Sequence, residues 1–350
     1  MIRILITEDS EVVGLLLTAM FEGEDDMQVI GRAKNGQEAV RMAHTLKPDL
    51  ITMDIRMPVM DGFEATRQIM STEPVPIIVI SSNVDNEELK ISFRAIEAGA
   101  LSIIEKPVGL MHPDFETIRG QLIDTVRIMA EVKVIRRRYP VRKPVPSVPE
   151  AIVTSTRESG QVYELVAIGC STGGPQALSA LLSALPAAYP VPIVITQHMS
   201  KGFIGGLGSW LQSLTQLHVR LAEDRQQLAA GTVYIAPDDC HLLVERGGNG
   251  LIARLDDAPV LNGFRPSVTR LFSSVALTCR DGAIGLLLTG MGSDGADGLL
   301  AMRRAGAHTL VQDEESAVVY GMPGSAIAMD AVDQVVPLDK MPAYLMRLVC

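Results

Sequence analysis

The stretch Ala167–Leu178 reads "AIGCSTGGPQAL". An apolar run, "ELVAIG", enters it and an amphipathic run, "PQALSALLSAL", leaves it. Strand, glycine-rich turn and helix follow one another within a few residues, which is the unit of an α/β sheet. Two chemistries use such a turn: it can cradle the phosphates of a nucleotide, or hold Ser171 up as a nucleophile. "GCSTGG" lacks both the G-x-G-x-x-G spacing and the G-K-[ST] of a phosphate loop, whereas Gly169-Cys170-Ser171-Thr172-Gly173 fits the G-x-S-x-G nucleophile elbow. Pro175 suits a first helical turn, where no N–H is required of it. Free N–H groups and the helix dipole there can receive an oxyanion.

Working outward, from Val162 the strands "YELVAIG", "VPIVIT", "GTVYIA", "AIGLLLT" and "HTLVQ" continue the pattern. An earlier series, "IRILIT", "MQVIG", "LITMD", "PIIVIS" and "ALSIIE", alternates with helical segments near Glu11–Phe21, Gly36–Leu46, Gly62–Met70, Asn86–Ala98 and Phe115 to about Arg136. Near-continuous β-branched apolarity is how buried parallel strands look. Between the two series lies "VIRRRYPVRKPVPSVPEAIVTSTRESGQ", basic and then rich in proline, serine and threonine, the texture of a linker. The expectation is an α/β protein of two doubly wound domains, 1–133 and 162–350, joined by a linker, 134–161.

Composition bounds the function. Charged residues are 21% of 350 and the net charge is -10, which argues against a general nucleic-acid binder. No stretch approaches the ~18 apolar residues that span a bilayer, and "MIRILITEDS" is too short and too quickly acidic for a signal peptide. Cys170, Cys240, Cys279 and Cys350 match no metal spacing and suit reduced thiols in a cytoplasmic protein. Cys170 adjoins Ser171, but a residue at a strand-to-turn transition points into the core.

In parallel sheets, functional groups gather at the carboxyl ends of strands. In the first series these are Glu8 and Asp9, Asp54, Ser81, and Lys106 before Pro107. Three carboxylates at adjoining strand ends repel one another unless a cation sits among them, and oxygen-only donors favour Mg²⁺. A carboxylate beside Mg²⁺ can attack phosphorus, with Ser81 and Lys106 holding the phosphoryl oxygens. In the second series Ser171 needs a base. His198 follows "VPIVITQ" at the end of the next strand, unlike His44, His112, His218, His241 and His308. The acid that orients it comes from "MGSDGADG", with Asp294 first and Asp297 in reserve. The order Ser…His…Asp differs from the Ser…Asp…His of α/β-hydrolases.

The first region, including "MDIRMPVMDG", resembles a two-component receiver domain, whose fold is flavodoxin-like. That resemblance implies phosphorylation at Asp54, Mg²⁺ at Glu8, Asp9 and Asp54, and sensing by Ser81 and Lys106; the peptide before Pro107 is often cis in such domains. Ile103 stands where receivers commonly carry a switching aromatic. The whole chain, through "TQHM", "VYIAPDDCHL", "FRPSVTRLFSSVA", "LLLTGMGSDGADGL" and "QDEESAVVYGMPGSA", resembles the chemotaxis protein-glutamate methylesterases. That implies a Ser171–His198–Asp294 triad, with Thr172 and Met291 beside the reacting carbonyl and no cofactor in the esterase domain. It also implies control by a chemotaxis-type histidine kinase and hydrolysis of γ-glutamyl methyl esters, with deamidation of particular glutamines, on methyl-accepting chemotaxis receptors. Arg265 and Lys201 could attract acidic receptor segments. A receiver-linked binding module whose turn holds a small anion is the rival reading; a DNA-binding regulator finds no helix-turn-helix pattern.

Overall fold

The computed structural model describes residues 1–81, 86–107, 109, 115–132, 134 and 161–350. The chain divides into two compact units, and the division falls within residues 135–160. The expected linker, 134–161, therefore lies outside the described residues except at its two ends, as does His112.

The first unit runs β1 (Ile2–Thr7), α1 (Glu11–Glu22), β2 (Met27–Ala33), α2 (Gly36–Leu46), β3 (Leu50–Asp54), α3 (Gly62–Thr72), β4 (Ile77–Ser81), α4 (Asn86–Glu97), β5 (Ser102–Glu105) and α5 (Phe115–Ala130). Strand β3 is buried along its whole length, as is β4, because helices cover both faces of the sheet. The order β2-β1-β3-β4-β5, parallel throughout, is the flavodoxin-like order expected. It reverses direction between β1 and β3, which opens a crevice at their carboxyl ends. Polar caps start the helices: Ser10, Asn35 and Asp61 each accept from a backbone N–H of the first turn of α1, α2 and α3. Helix α5 closes at Ala130 rather than near residue 136, which lies outside the described residues.

The second unit runs β6 (Leu165–Cys170), α6 (Gly174–Ser183), β7 (Ile193–Gln197), α7 (Ile204–Leu214), β8 (His218–Leu221), β9 (Thr232–Ile235), β10 (His241–Gly247), β11 (Gly250–Asp256), α8 (Val268–Thr278), β12 (Ala283–Leu287), α9 (Ala296–Arg304), β13 (His308–Gln312), α10 (Gly321–Ala328), β14 (Gln334–Val336) and α11 (Met341–Val349). Seven strands form one parallel sheet, β14-β13-β12-β6-β7-β9-β8. The chain builds outward from β6 on one side, then crosses to β12 on the other, so the carboxyl ends of β7, β6 and β12 adjoin at the switch point.

Two features go beyond the sequence expectation. The short strands β8 and β14 close the two edges, where exposure leaves little apolar signal. Strands β10 and β11 form a separate antiparallel hairpin. That hairpin seats α8: Ser274 Oγ accepts from Val244 N–H at 2.9 Å, and Thr278 Oγ donates to Val244 O at 2.8 Å. Val268, Leu271, Phe272, Val275 and Ala276 form the buried stripe of α8. Burial of each large apolar side chain contributes roughly 1.5–3 kcal/mol, enough to hold the helix start in one place.

The Lys106–Pro107 bond is not among the cis peptides of the described residues; Arg265–Pro266 is. The cis expectation before Pro107 is thus corrected: an X–Pro amide differs little in energy between isomers, so sequence alone does not choose. Among the described residues no helix is long and apolar enough to cross a membrane.

Candidate active site

The turn after β6 lifts Ser171 clear of the sheet. Gly173 takes a φ of +79°, a left-handed conformation that favours glycine. A Cβ on Gly290 would lie 2.8 Å from Ser171 Cβ, so only glycine lets the loop after β12 come this close. Ser171 N–H donates to Thr289 O at 3.0 Å, and Thr289 Oγ donates to Thr172 O at 2.9 Å. Gln197, the last residue of β7, ties the other side: its buried amide donates to Ser171 O at 2.8 Å and His198 O at 2.7 Å.

Cys170 and Gln197 are register partners on β6 and β7, so Ser171 and His198 leave the sheet side by side. His198 N–H also donates to Cys170 O at 3.0 Å. His198 Nε2 lies 2.9 Å from Asp294 Oδ2, with both side chains almost wholly buried. Asp294 in turn sits at the start of α8, accepting from Val268 N–H at 2.7 Å, Thr269 N–H at 3.1 Å and Ser267 Oγ–H at 2.9 Å. Burial alone would raise its carboxyl, but the hydrogen bond and charge of His198 and the bonds from Thr269 hold it at about 2. An ionised carboxylate can only accept, so the Nε2 facing it carries the hydrogen. His198 Nδ1 is buried and has no hydrogen-bond partner among the described residues. A neutral imidazole in that tautomer offers Nδ1 as a base. This is the reverse of the usual triad, in which Nδ1 faces the acid.

In the first unit the carboxylates of Glu8, Asp9 and Asp54 each offer an oxygen within 4.8 Å of the others. Glu8 and Asp54 are buried while Asp9 is exposed, so the cluster opens to solvent on one side. Lys106 Nζ lies 2.9 Å from Asp54 Oδ2 and 3.1 Å from Glu8 Oε2. Burial raises the Asp54 carboxyl above its ordinary value although the Lys106 charge pulls the other way. Burial, then the Asp54 charge, raises Glu8 likewise. Burial opposes the charge on Lys106, but Asp54 and Glu8 outweigh it and raise its pKa. One ammonium thus serves two of the three crowded carboxylates, a donor set that suits a hard cation.

A family model described as CheB methylesterase matches residues 166–345, and one described as response regulator receiver domain matches residues 4–112. A protein of Geobacter metallireducens named protein-glutamate methylesterase/protein-glutamine glutaminase 4 is 44% identical, over 99% of each chain. The chain belongs to the CheB methylesterase family.

A relative of the same name from Myxococcus xanthus is also 44% identical, over 98% of this chain and 96% of its own. The crystal structure of the Thermotoga maritima CheB methylesterase catalytic domain superposes on 53% of this chain and 99% of its own, with a TM-score of 0.53 and 38% identity.

Within this CheB-family chain, the structure brings Ser171, Thr172, His198 and Asp294 to one switch point, and Glu8, Asp9, Asp54 and Lys106 to the other. Asp297 is exposed in the first turn of α9, away from this carboxylate network, and serves the helix dipole. Met291 is half-buried in the loop after β12, between two glycines. Arg265 points its guanidinium at Asp257 O, 3.3 Å away. Lys201 pairs with Asp239. Ser81 is fully buried at the end of β4, where its Oγ accepts from Ser92 at 3.1 Å and its carbonyl accepts from Lys106 N–H at 2.9 Å. Ile103 is buried in β5. Cys170 is fully buried and burial pushes its thiol far up, so it offers no thiolate.

Sequence reasoning did not find Gln197, Ser267, Thr269 or Phe264. Ser267 was legible as a cap just ahead of an apolar-periodic run. Phe264, whose ring lies 3.9 Å from that of His198 with planes 5° apart, follows "LNG", a turn signal. Gln197 carried no signal, since a buried amide beside a histidine has no characteristic spacing.

Proposed function

We propose that this chain is a phosphorylation-controlled hydrolase that removes methyl groups from glutamate γ-methyl esters of methyl-accepting chemotaxis receptors. The observation that carries this reading is the His198–Asp294 pair, Nε2 to Oδ2 at 2.9 Å, at the end of β7 next to the strand end that presents Ser171. Ser171 Oγ attacks the γ-carbonyl carbon as its proton passes to His198 Nδ1. Backbone N–H groups of the turn after β6, that of Thr172 among them, receive the oxyanion. Nδ1–H then protonates the departing methoxide, methanol leaves, and a γ-acyl ester on Ser171 remains. Water attacks that ester with Nδ1 as base, giving back Ser171 and a glutamate. The same steps on glutamine release ammonia, which accounts for the second half of the relatives' name. Met291 borders the reacting carbonyl, and Arg265 with Lys201 favours acidic receptor segments.

Asp54 is the phosphoacceptor of a receiver spanning 1–133, served by a chemotaxis-type histidine kinase in the cytoplasm. Residues 134–161 link it to an esterase domain spanning 162–350. Glu8, Asp9 and Asp54 would hold Mg²⁺, which neutralises charge on the incoming phosphoryl group. Ser81 and Lys106 hold the phosphoryl oxygens, and the phosphorylated receiver raises the esterase rate. The test is methanol release from methylated receptor membranes by the full chain and by Ser171→Ala, each with and without a small phosphodonor. Release that needs Ser171 and rises with the donor supports the reading; equal release by the variant ends it.

A further inference from the structure

Among the described residues the His198 side chain makes one hydrogen bond, at Nε2, and that bond with the Cβ anchor leaves the tilt of the ring to its packing. Tilting of the ring about that bond would change the direction in which Nδ1 points. What lies across the ring face is Phe264, parallel to within 5° at 3.9 Å between centroids. The loop that presents it is braced along its length. Leu261 and Phe264 exchange both backbone hydrogen bonds, at 3.1 and 3.0 Å, around Asn262 and Gly263. Those two residues have φ of 52° and 86°, the two-residue turn that Asn-Gly favours. Arg265 grips Asp257 O at 3.3 Å. Behind the turn, buried His241 accepts from Ser267 N–H at Nδ1, 3.1 Å, and so presents Nε2–H to Pro259 O at 3.2 Å.

Parallel rings at this separation lie in van der Waals contact across their faces, so the packing of Phe264 restricts the tilt of the imidazole. A cation over a ring face is attracted. A ring face so placed also attracts the imidazolium that forms when His198 takes the proton of Ser171.

We propose that Phe264 is a positioning residue: its ring clamps the His198 imidazole in the plane that aims Nδ1 at Ser171 and offers a π-face to the cation formed during reaction. The proposal rests on the hydrolase reading above. Its action is on His198, not on substrate, so it shows in kcat and not in KM.

The test compares the native full chain with Phe264→Leu, which keeps bulk but removes the ring, and Phe264→Tyr, which restores it. Readouts are kcat and KM for methanol release, the rate at which a fluorophosphonate labels Ser171, and the ring-current shift of the His198 ring protons. Expected for Leu are a loss of about tenfold in kcat and in labelling, KM within about twofold, and loss of the upfield shift. Tyr keeps the shift and stays within about threefold of native in kcat. Native kcat and labelling in the Leu variant would overturn the proposal, as would equal losses in Leu and Tyr. Should Leu fail to fold, as judged by its melting, Phe264→Met gives the same comparison with an unbranched side chain. A native chain that labels but releases no methanol defeats the ester reading, while the labelling ratio still decides the clamp. A native chain that does neither defeats both.

Discussion

Asp54 and Asp294 are both buried aspartates at the switch point of a parallel sheet, yet the protein moves them in opposite directions. Asp54 is raised above its ordinary value, chiefly by burial, although Lys106 and the Ile55 N–H at 2.7 Å oppose this. Asp294 suffers the same burial but is held at about 2 by His198 and Thr269. Desolvation does not separate them; the supply of donors does. Asp294 receives two backbone N–H groups, a hydroxyl and an imidazole. Asp54 shares one ammonium with Glu8 and has Asp9 nearby. A group so provided stays ionised and orients a partner. A group left crowded has its charge opposed, and a cation placed among the carboxylates would relieve it.

The largest test of this contrast is chemical. Asp294→Asn keeps the shape but donates where a carboxylate accepted, and should cut kcat for methanol release by roughly 10³–10⁴-fold. A loss under tenfold would deny Asp294 the orienting role. Asp54→Ala should instead abolish the ratio of rates with and without phosphodonor, and a ratio that survives would move the phosphoacceptor elsewhere.

Mg²⁺ should separate the two sites next. A cation that binds only the folded receiver stabilises it by about 2.7 kcal/mol at a hundred times its Kd. Calorimetry of the full chain should show the receiver transition rising with Mg²⁺, and Asp9→Asn removing most of that rise. A transition indifferent to Mg²⁺ would mean that the acidic cluster holds no such ion.

Acid titration probes the other aspartate. The Asp294 carboxyl is depressed in the folded protein from 3.8 to about 2, so the unfolded chain takes up the proton first as pH falls. Its contribution, about 2 kcal/mol, is complete above pH ~4 and disappears as pH drops toward ~2. Urea unfolding of the second domain should steepen across that window, and Asp294→Asn should flatten it. The smallest effect is expected from Ser267→Ala, which removes one bond to Asp294 and the N-cap of α8. It should cost about 1 kcal/mol of stability and a few-fold in kcat; a change in neither would make the capping hydroxyl incidental.

Much of this is legible in the residues alone. Glu8, Asp9 and Asp54 group together because buried parallel strands announce themselves by apolar runs, and the residues just past each run must share one edge. Ser171, His198 and Asp294 yield to the same reasoning. The hairpin β10–β11 and the strands β8 and β14 do not, since half-exposed strands carry weak patterns. Nor do Phe264 and Gln197, whose roles depend on neighbours brought from elsewhere in the chain.

Local chemistry in the sequence determined the alternation of strands and helices, the two units, and which serine, histidine and acidic residues stand at strand ends. These follow from side-chain period and backbone sterics over a few residues. Tertiary structure alone decided which nitrogen of His198 meets Asp294, 96 residues away. It also decided which helix start keeps that carboxylate ionised and which ring lies over the imidazole. Those depend on how loops cross above the sheet, where long-range packing governs and local propensity is silent.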